Sequence, residues 1–495
     1  MGSMRFQVLH TDNLADGALE RVYMTGMDDV PWHSRAELDG AVLVVHRDVS
    51  DSGNVHVPWQ VEGHGELVLA TTCLMEREQS YQLEVELARG FIYQLRSHLA
   101  AWETAGLIVP KSINDLLAKA VRRFSRAATS QHEPKTAARH ALKTIAAAAD
   151  LSFALSQDYS EQALAVRRRQ TPRLSTLLAV NLGSRVPGVK ATKRIVPAFN
   201  TAVVPVRWCD IEAAEGQRDW TTTDRQIQWC QKNGLTVCGG PLLQLDAQGI
   251  PDWAVLWESD FDSIVRLMIE HVQESITRYQ GKVQLWQIAS RINTGGALGL
   301  TDEQRVKIVA RSIEVTRQVD PSTPLVVLFD QPWAEYIAGR DKDLPPLSFA
   351  DALVRADLGL AGLGLEINAG YHPHGTMAYN PLAYSRLLDA WSVFGLPLLV
   401  MLTTPSSEAL DDRSIGKSRA LPGGAAGELS RRSQRDWINK FVPMILSKNC
   451  VQAIIWNQLD DRQQHEFPYS GLFDHSGRTK PALRTLRRLR EEYLA

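Results

Sequence analysis

The sequence predicts an α/β protein whose main part is a (β/α)8 barrel, preceded by a small β-sandwich-like module and a helical linker. Three observations support this prediction. Residues 6 to about 75 alternate short apolar runs with turn residues. From Tyr81 the apolar period lengthens from two residues to 3.6. After Thr171, strand-like apolar runs alternate with amphipathic helical stretches, which is the pattern of a parallel sheet with crossover helices.

The first module is expected over residues 1–78. Its strand candidates are Ala41–His46, Val55–Trp59 and Leu67–Thr72, and the turn residues 51–54 separate the first two. This spacing favours a small antiparallel β-sandwich. Such a module could bind carbohydrate or could serve only as packing, because a fold alone does not define a function.

The linker, residues 79–171, is predicted to contain three helices. The first follows Tyr81 and stops near Gly106, and the others span about Asn114 to Ser130 and about Lys135 to Val166. Basic runs at residues 122–123 and 167–169 lie in this helical part, and we interpret them as solvated helix faces.

The barrel is expected over residues 172–495. Its eight strand candidates are Leu177–Leu182, Val196–Val204, Thr236–Leu243, Val283–Ala289, Leu325–Phe329, Leu363–Ile367, Leu398–Leu402 and Val451–Trp456. In this fold the functional side chains come from the carboxyl ends of the strands. Those positions therefore decide the functional interpretation.

Composition excludes several classes of protein. The 495 residues carry a net charge of -2, so neither nucleic acid nor an anionic membrane is an expected partner. No signal peptide and no apolar run of about 18 residues is evident, which predicts a cytoplasmic location. The five cysteines are widely spaced, as expected of free thiols in a reducing compartment. No cofactor is expected, because the glycine pairs at 295–296 and 423–424 do not join a strand to a helix.

Short motifs recur in a fixed order along the barrel. They are Phe199-Asn200, Arg207-Trp208, Ile211-Glu212 with Gly216, Asn233–Val237, Gln248 with Pro251–Trp253, Trp286, Leu363–Leu365, Trp456 with Asp460, Gly471–Asp474 and Lys480–Ala482. In order and spacing they resemble the barrel of glycoside hydrolase family 10, whose members cleave xylan and related β-glycans. The resemblance implies the (β/α)8 fold and a carbohydrate ligand at the barrel mouth.

The sequence departs from the family where the resemblance would place catalysis. The family's fourth strand runs Trp-Asp-Val-Val-Asn-Glu and ends on the acid/base glutamate, whereas this chain has Trp286–Arg291 with Arg291 in the last place. The seventh strand of the family ends Thr-Glu-Leu-Asp with the nucleophile, whereas this chain has Leu402–Pro405 and no acid. A guanidinium stays charged and cannot serve as a proton donor at neutral pH. The usual retaining mechanism is therefore not expected.

Two carboxylates offer an alternative. Asp330 ends the fifth predicted strand and Glu366 lies at the end of the sixth, so the two could form a relocated catalytic pair. The competing interpretation is that either acid forms a structural ion pair with Arg291 or Arg207 at the barrel mouth, and we favour the ion pair.

A metal site was considered at His372-Pro373-His374, close to both acids. Two imidazoles and a carboxylate could bind zinc or iron. No supporting helical His-Glu-x-x-His motif exists, so a plain loop histidine pair is preferred and no metal is predicted.

The predicted binding residues are aromatic or polar groups at or near strand ends. Aromatic faces offer sugars a large contact area, and amides, carboxylates and guanidinium groups can bond to hydroxyls. The candidates are Asn200, Arg207, Trp208, Trp253, Arg291, Asn293, Trp456 and Asp460, whereas Trp333 and Tyr371 are expected to be packing residues.

Three functional hypotheses follow. The first is a carbohydrate-active protein that binds a β-glycan or oligosaccharide without the retaining mechanism, in effect a xylanase-like pseudoenzyme. The second is a divergent glycosidase that uses Asp330 and Glu366. The third is a non-catalytic structural or assembly protein, whose protein partner the sequence does not indicate. The long connection from Ser406 to Ser430 could be a lid, a partner contact or a plain insertion.

Overall fold

The structure, a computed structural model, describes residues 2–15, 17–340, 344–423 and 428–495. Its N-terminal strands are β1 (Gly2–Gln7), β2 (Tyr23–Thr25), β3 (Pro31–Trp32), β4 (Ser34–Asp39), β5 (Val42–Arg47), β6 (Asn54–Val61), β7 (Gly65–Ala70) and β8 (Tyr81–Gln82). They form two four-stranded sheets in the orders β4-β5-β1-β8 and β3-β2-β6-β7. Alternate side chains, such as Met4 and Phe6 of β1, point into the core. The predicted β module is confirmed.

Three helices connect this module to the rest of the chain. They are α1 (Leu83–Thr104), α2 (Lys111–Thr129) and α3 (Pro134–Gln170). Gly90 lets α1 pack directly on the end of β7, because a Cβ at this position would lie 1.9 Å from the carbonyl oxygen of Ala70. The three predicted helices are confirmed, with ends shifted by a few residues.

The barrel strands are β9 (Leu177–Asn181), β10 (Thr201–Val204), β11 (Thr236–Gly239), β12 (Leu243–Gln244), β13 (Leu285–Ser290), β14 (Leu325–Asp330), β15 (Gly362–Asn368), β17 (Leu398–Thr403) and β19 (Val451–Trp456). The short strands β16 (Tyr371–His372) and β18 (Arg419–Ala420) pair with each other outside the barrel. Parallel pairing runs β11-β10-β9-β19-β17-β15-β14-β13 and closes from β13 back to β11, with β12 continuing the third strand. The predicted closed (β/α)8 barrel is therefore confirmed.

Helices cover the outside of the barrel between successive strands. They are α4 (Val189–Ile195), α5 (Trp208–Ile211), α6 (Thr221–Lys232), α7 (Phe261–Tyr279), α8 (Asp302–Val319), α9 (Pro346–Arg355), α10 (Pro381–Trp391), α11 (Arg431–Ser447) and α12 (Pro481–Tyr493). Some start on strong local signals. Thr301 and Gln304 form a reciprocal capping box at α8, and Asn380 accepts two backbone N–H bonds at α10.

Small and branched apolar side chains fill the inside of the barrel. This interior cluster is separate from the larger core between the sheet and the helices, and it consists of Ala179, Val203, Cys238, Val326, Leu328, Leu399, Met401, Ala453 and Ile455. The barrel is thus a packed core, and ligand chemistry is confined to the ends of the strands.

The N-terminal sandwich packs on the loops that follow the sixth and seventh barrel strands. The Val68 N–H donates to the Ala378 carbonyl at 2.8 Å, and the Glu66 N–H donates to the Gly423 carbonyl at 2.9 Å. The hydroxyls of Tyr23 and Tyr379 are 2.9 Å apart. The sandwich therefore lies beside the carboxyl-terminal mouth of the barrel. The domain limits 1–78, 79–171 and 172–495 stay predictions.

In the part that the structure describes, the connection from Ser406 to Ser430 contacts the loops that follow the sixth and the eighth barrel strands. Arg419 and Ala420 pair with β16, and the Ile415 N–H donates to the His465 carbonyl at 2.9 Å. Residues 424–427, and with them Gly424, lie outside the described residues. The role of this connection as a lid or insertion stays a prediction.

Two further features concern the whole of the described chain. None of its helices combines the length and apolar character that a membrane crossing requires. All five cysteines have free thiols, and Cys230 and Cys238 are buried. The cytoplasmic location stays a prediction.

Candidate functional site

The barrel mouth is centred on Arg291, the first residue after β13. Its Nη1 lies 2.7 Å from Asp246 Oδ2 and 2.9 Å from Glu466 Oε1. Its Nη2 lies 2.7 Å from both Glu366 Oε1 and Glu466 Oε2, and its Nε is 3.4 Å from Glu366 Oε2. Four of these contacts are hydrogen bonds, and the contact of Nη2 with Glu466 Oε2 is an ion pair by distance. At least four of the five N–H donors of the Arg291 guanidinium are therefore directed at protein carboxylates.

Three carboxylates from distant parts of the chain therefore share one cation. Asp246 follows the third barrel strand, Glu366 lies on the sixth, and Glu466 lies in the loop after the eighth. All three side chains and that of Arg291 are largely buried, with the exposed fraction of Asp246 highest at 18%. We call Arg291, Asp246, Glu366 and Glu466 the mouth cluster. It ties the third and eighth loops to the fourth and sixth strands.

Amide groups add further hydrogen bonds to the carboxylates of the mouth cluster. Asn368 Nδ2 donates to Glu366 Oε1 at 3.1 Å, and Asn457 Nδ2 approaches the same oxygen at 3.4 Å. Gln244 Nε2 donates to Asp246 at 2.9 Å. Buried charges persist only when they are paired and hydrogen-bonded, and this network meets both conditions.

The charges in the mouth cluster shift one another's protonation. Burial disfavours the charged guanidinium, but attraction by Glu366, Glu466 and Asp246 outweighs it and raises the pKa of Arg291. Burial also opposes ionisation of Asp246, yet Arg291 holds the pKa of that carboxyl below its usual value. For Glu466 burial prevails and raises the pKa. Arg291 is thus permanently charged, and Glu466 is the more readily protonated of these two acids.

Asp330 and Glu366 stand side by side, as the sequence analysis proposed. They are register partners on the adjacent strands β14 and β15. Glu366 is bound to Arg291, whereas Asp330 accepts from the Gln331 N–H at 2.9 Å. Burial, followed by the charge of Glu366, raises the pKa of Asp330 well above its usual value, although Arg291 opposes the shift. A raised pKa is the direction that a proton-donating carboxyl group requires.

Asn293 joins the fourth and fifth strands next to this acid. Its Nδ2 donates to the Asp330 carbonyl at 2.7 Å and its Oδ1 accepts from the Asp330 N–H at 3.0 Å. The amide is buried and its described bonds are to protein groups, including the Tyr336 hydroxyl at 3.1 Å. Asn293 therefore fixes the backbone of Asp330.

The backbone at the two strand ends is strained. Arg291 has φ +55° and Gln331 has φ +45°, in the left-handed region that side-chain-bearing residues seldom adopt. Each follows the last residue of its strand, β13 or β14. Such conformations persist where the surroundings over-determine them, and they concentrate at functional sites.

The predicted aromatic residues differ in their exposure. Trp208 and Trp456 are fully buried, with their indole N–H groups donated to Glu212 at 3.0 Å and to the Ser470 carbonyl at 3.1 Å. Trp253 is half-buried, packs edge-on against Trp208 and donates to the Glu212 carbonyl. Only Trp253 of these three presents part of its surface to solvent. Trp333 is packed against Tyr379, at 4.4 Å between ring centroids.

The predicted polar residues do not all meet at the mouth. Arg207 follows β10 and forms a bidentate pair with Asp210, and Asp460 is bound by Arg462. Asn200 precedes β10 and bonds to the Leu178 N–H and the Ala495 carbonyl. Asn200 therefore lies at the opposite, amino-terminal end of the barrel. The prediction that Asn200 contacts a ligand at the mouth is therefore wrong, because its side chain bonds to backbone groups near the start of β9 and at the C-terminus.

The two loop histidines face different surroundings. Besides burial, the pKa of His372 is lowered by Arg21 of the sandwich, whereas that of His374 is lowered by Arg291 of the mouth cluster. Across the ranges that the structure describes, no group of three or more His, Cys, Asp or Glu side chains is arranged to hold a metal ion.

A small cavity lies beside the ends of the sixth and seventh strands. Its volume is about 20 Å³, and it is lined by Ala369, Gly370, Ala378, Tyr379, Tyr384, Thr404, Pro405, Leu429, Ser433 and Trp437. Ligand pockets usually have volumes of about 300 Å³ or more, whereas this space suits about one water molecule. This cavity is therefore too small to hold a sugar ring.

Glu335, just after the fifth strand, links the mouth to the N-terminal sandwich. It accepts from the Tyr379 hydroxyl at 3.1 Å, and Tyr379 contacts Tyr23 of the sandwich. Part of the residue reaches solvent, but its Oε2 is buried and has no hydrogen-bond partner among the described residues. Burial raises the pKa of Glu335 from 4.5 to about 7.

We expect Glu335 to make stability fall as the pH rises from about 4.5 to about 7. Its folded-state pKa is the higher one, so in this window the folded protein binds a proton that the unfolded chain has lost. The loss is about 2 to 3 kcal/mol for a shift of this size. Urea unfolding across this range measures it, and Glu335→Gln should flatten the pH profile. An unchanged profile in the variant would assign the dependence to other groups.

Asp246 and Glu466 are not among the residues predicted for the site from the sequence. Asp246 stands two residues beyond β12, so its position near a strand end was a usable signal. Glu466 lies ten residues beyond β19 in an irregular loop, and no periodic pattern marks it. The ion pair between Glu366 and Arg291 had been considered, but not the sharing of one guanidinium among three acids.

The closed barrel and its mouth define the class of the protein as a (β/α)8-barrel protein with its candidate site at the carboxyl ends of the strands. Residues 187–325 match the model of glycosyl hydrolase family 10, a segment that runs from just before α4 to the start of β14 and includes Arg291. The chain therefore carries a family 10-like (β/α)8 barrel.

Sequence relatives are found among xylanases. Endo-1,4-beta-xylanase 3 of Hypocrea jecorina (strain QM6a) is 26% identical over 126 residues, which cover 25% of this chain and 35% of the xylanase. Endo-1,4-beta-xylanase 5 of Arabidopsis thaliana is 25% identical over 85 residues, 17% of this chain and 15% of the relative. The chain thus matches about a third or less of the length of these relatives.

Solved structures with similar folds include the native xylanase 10B of Thermotoga maritima, with a TM-score of 0.49 and 14% identity, covering 66% of this chain and 97% of the other. Xylanase 10B of Thermotoga petrophila RKU-1, solved with xylobiose, gives a TM-score of 0.48 and 14% identity over 68% of this chain and 96% of that one.

Proposed function

We propose that this protein binds a β-glycan or oligosaccharide at the barrel mouth and does not cleave it by the double displacement of retaining glycosidases. The observation that carries the proposal is Arg291, which stands where the resemblance places the acid/base and holds three carboxylates. Its guanidinium is bound to all three carboxylates and its pKa is raised, so it cannot release a proton to a glycosidic oxygen.

The carbohydrate part of the proposal rests on the family 10-like barrel and on the xylanases among its relatives. Polysaccharide chains are recognised by aromatic faces and by polar groups that bond to hydroxyls. The half-buried Trp253 presents part of its aromatic surface to solvent, whereas Trp208 and Trp456 support Trp253 and the strand ends from within. Arg207 and Asp460 would bond to hydroxyls only by exchanging their present bonds with Asp210 and Arg462.

A second candidate is a divergent glycosidase. The raised pKa of Asp330 suits a proton donor, and Glu366 stands next to it on β15. In this version Asp330 would protonate the leaving oxygen and Glu366 would attack or activate water. The ion pair between Glu366 and Arg291 opposes this candidate, because it would weaken the carboxylate as a nucleophile and blocks its approach to a sugar.

A scaffold role is the third candidate, and the structural ion pairs of the mouth cluster favour it. Binding of neutral sugars distinguishes the scaffold role from glycan binding and from glycosidase activity, because a scaffold binds none. We expect a β-1,4-linked xylohexaose at 100 times its Kd to raise the free energy of unfolding by about 2.7 kcal/mol, with no shorter sugars released. Thermal unfolding and chromatography of the incubated sugar measure the two parts.

Variants make this test specific. Trp253→Ala should abolish the stabilisation by xylohexaose, whereas Trp32→Ala, which removes a half-buried indole from the sandwich, should keep it. Release of shorter sugars that disappears in both Asp330→Asn and Glu366→Gln would replace the proposal with the glycosidase. Absence of any shift with xylo- and cello-oligosaccharides would leave the scaffold role.

A further inference from the structure

The α2–α3 hairpin carries a concentration of positive charge that the barrel site does not use. Residues 111–143 contain eight Lys or Arg and only two Asp or Glu, in a chain whose net charge is -2. Seven of the cations define what we call the basic face: Lys119, Arg122, Arg123, Arg126, Lys135, Arg139 and Lys143. Six of them are exposed and Arg123 is half-buried.

Helical periodicity explains why these side chains share one surface. On α2, Arg122 and Arg123 are adjacent and each lies three or four residues from Lys119 and Arg126, and on α3 the three cations recur every fourth residue. Fully buried alanines line the contact surfaces of the helices, Ala120 and Ala127 on α2 and Ala137 and Ala141 on α3. Small residues at this contact let the two helices approach closely.

Contacts across the hairpin show that the two rows of cations lie side by side. The loop of residues 130–133 is short, so the helices run antiparallel. Arg123 Nη1 on α2 donates to the Lys143 carbonyl on α3 at 3.3 Å. Besides burial, the charges of Arg139, Arg126 and Lys143 lower the pKa of His140, which lies among them. The row on α3 is about 12 Å long, at 1.5 Å per residue.

The basic face is not neutralised within the chain. In the ranges that the structure describes, none of its seven cations forms an ion pair with a carboxylate. Elsewhere on the surface exposed arginines are commonly paired, as Arg311 is with Glu314 and Arg355 with Asp351. Like charges held together in this way repel one another, and an anionic partner relieves that repulsion.

We infer that the basic face binds an anionic polysaccharide, one that carries carboxylate or sulfate groups on its sugars. Four of the seven cations are arginines, whose planar guanidinium groups match carboxylate and sulfate oxygens in a bidentate fashion. Within residues 119–143 the aromatic rings are those of Phe124 and His140, which are half-buried, and of His132 in the loop, so this segment offers an unpaired base no exposed Phe, Tyr or Trp ring. No large apolar side chain of the same segment is exposed, as insertion into a membrane would require. The choice of a polysaccharide over other polyanions rests on the proposed function, because a carbohydrate-active barrel meets sugar polymers.

Polygalacturonate is a suitable probe, with neutral dextran as its uncharged counterpart. We expect binding of polygalacturonate at low salt, weakening as ionic strength rises, and no binding of dextran. The variant Arg123→Gln/Arg126→Gln/Arg139→Gln should lose at least about tenfold in affinity. The matched variant Lys190→Gln/Lys193→Gln/Arg194→Gln removes equal charge from the barrel helix α4 and should stay within about twofold of the parent.

Competing polyanions supply the results that would overturn the inference. Tighter binding of duplex DNA, or of vesicles containing phosphatidylserine, than of polygalacturonate would reassign the basic face to nucleic acid or membrane. Equal losses in the two triple variants would mean that only net charge matters. Xylohexaose stabilisation separates the two proposals, since it should survive in the Arg123/Arg126/Arg139 variant. If polygalacturonate bound but xylohexaose did not stabilise the protein, the proposed glycan site at the mouth would be refuted and the proposal for the basic face would stand.

Discussion

Replacing Arg291 with methionine is expected to destabilise the protein by about 3 to 5 kcal/mol at about pH 7. The substitution keeps an unbranched side chain but removes the one cation that Asp246, Glu366 and Glu466 share. Three buried carboxylates would then face one another without compensation, and burial of an unpaired charge is among the costliest changes in a protein. Urea unfolding followed by tryptophan fluorescence measures the loss.

The pH dependence of this variant provides an internal check. Without the guanidinium, the carboxylates accept protons more readily in the folded state, so the variant should regain stability as the pH falls towards about 5. Arg207→Met is the matched control, because the pair of Arg207 with Asp210 is partly exposed and should contribute about 1 kcal/mol or less. Equal stability of Arg291→Met and the parent at about pH 7 would show that the mouth cluster is not an energetic unit.

The barrel could be predicted because each strand is a short apolar run between amphipathic helices. Those runs are buried on both sides, so their residue types alone mark them. The predicted start of the second barrel strand was wrong by several residues. Val196 to Phe199 extend the predicted second strand, but Val196, Ala198 and Phe199 donate their N–H groups back to Thr192 and Ile195. These residues complete the turn after α4, and pairing starts only at Thr201.

The mouth cluster could be predicted only in part, because its contacts are set by the closed sheet. Strand ends indicated that Arg291, Asp330 and Glu366 would meet, since neighbouring parallel strands end at the same edge. The partners Asp246 and Glu466 lie 45 and 175 residues from Arg291, in irregular loops. Loop conformation has no sequence period, so neither contact follows from a local pattern.

The burial of Trp208 and Trp456 could not be predicted either, because it also depends on contacts made by loop residues. A tryptophan near a strand end can face the ligand or the core, and the residue type is equally suited to both. Glu212 decides the case of Trp208, because it accepts the indole N–H and also the Gly216 N–H and Arg218. Trp208 therefore supports the fold from within.

Lys480 should show the second large effect, since it carries a buried charge far from solvent. Its ammonium lies 2.6 Å from Asp461 Oδ2, and it donates to Ser406 Oγ at 2.8 Å and to the Tyr469 carbonyl at 2.9 Å. The contact with Asp461 is an ion pair without ideal hydrogen-bond alignment, and the exposed fractions of the two side chains are 1% and 0%. Burial lowers the pKa of Lys480, and Asp461 opposes that shift.

We expect Lys480→Met to cost about 3 to 5 kcal/mol, because it leaves Asp461 ionised and unpaired in the core. Lys480→Met/Asp461→Asn should recover most of that loss. The neutral amide keeps an acceptor for the Gly471 N–H and removes the buried charge. Lys448→Met is the control, since its partner Asp389 is 56% exposed and the expected loss is about 1 kcal/mol. If the double variant were as unstable as Lys480→Met, the lysine would act through its packing and hydrogen bonds, and the buried charge of Asp461 would not be the cause.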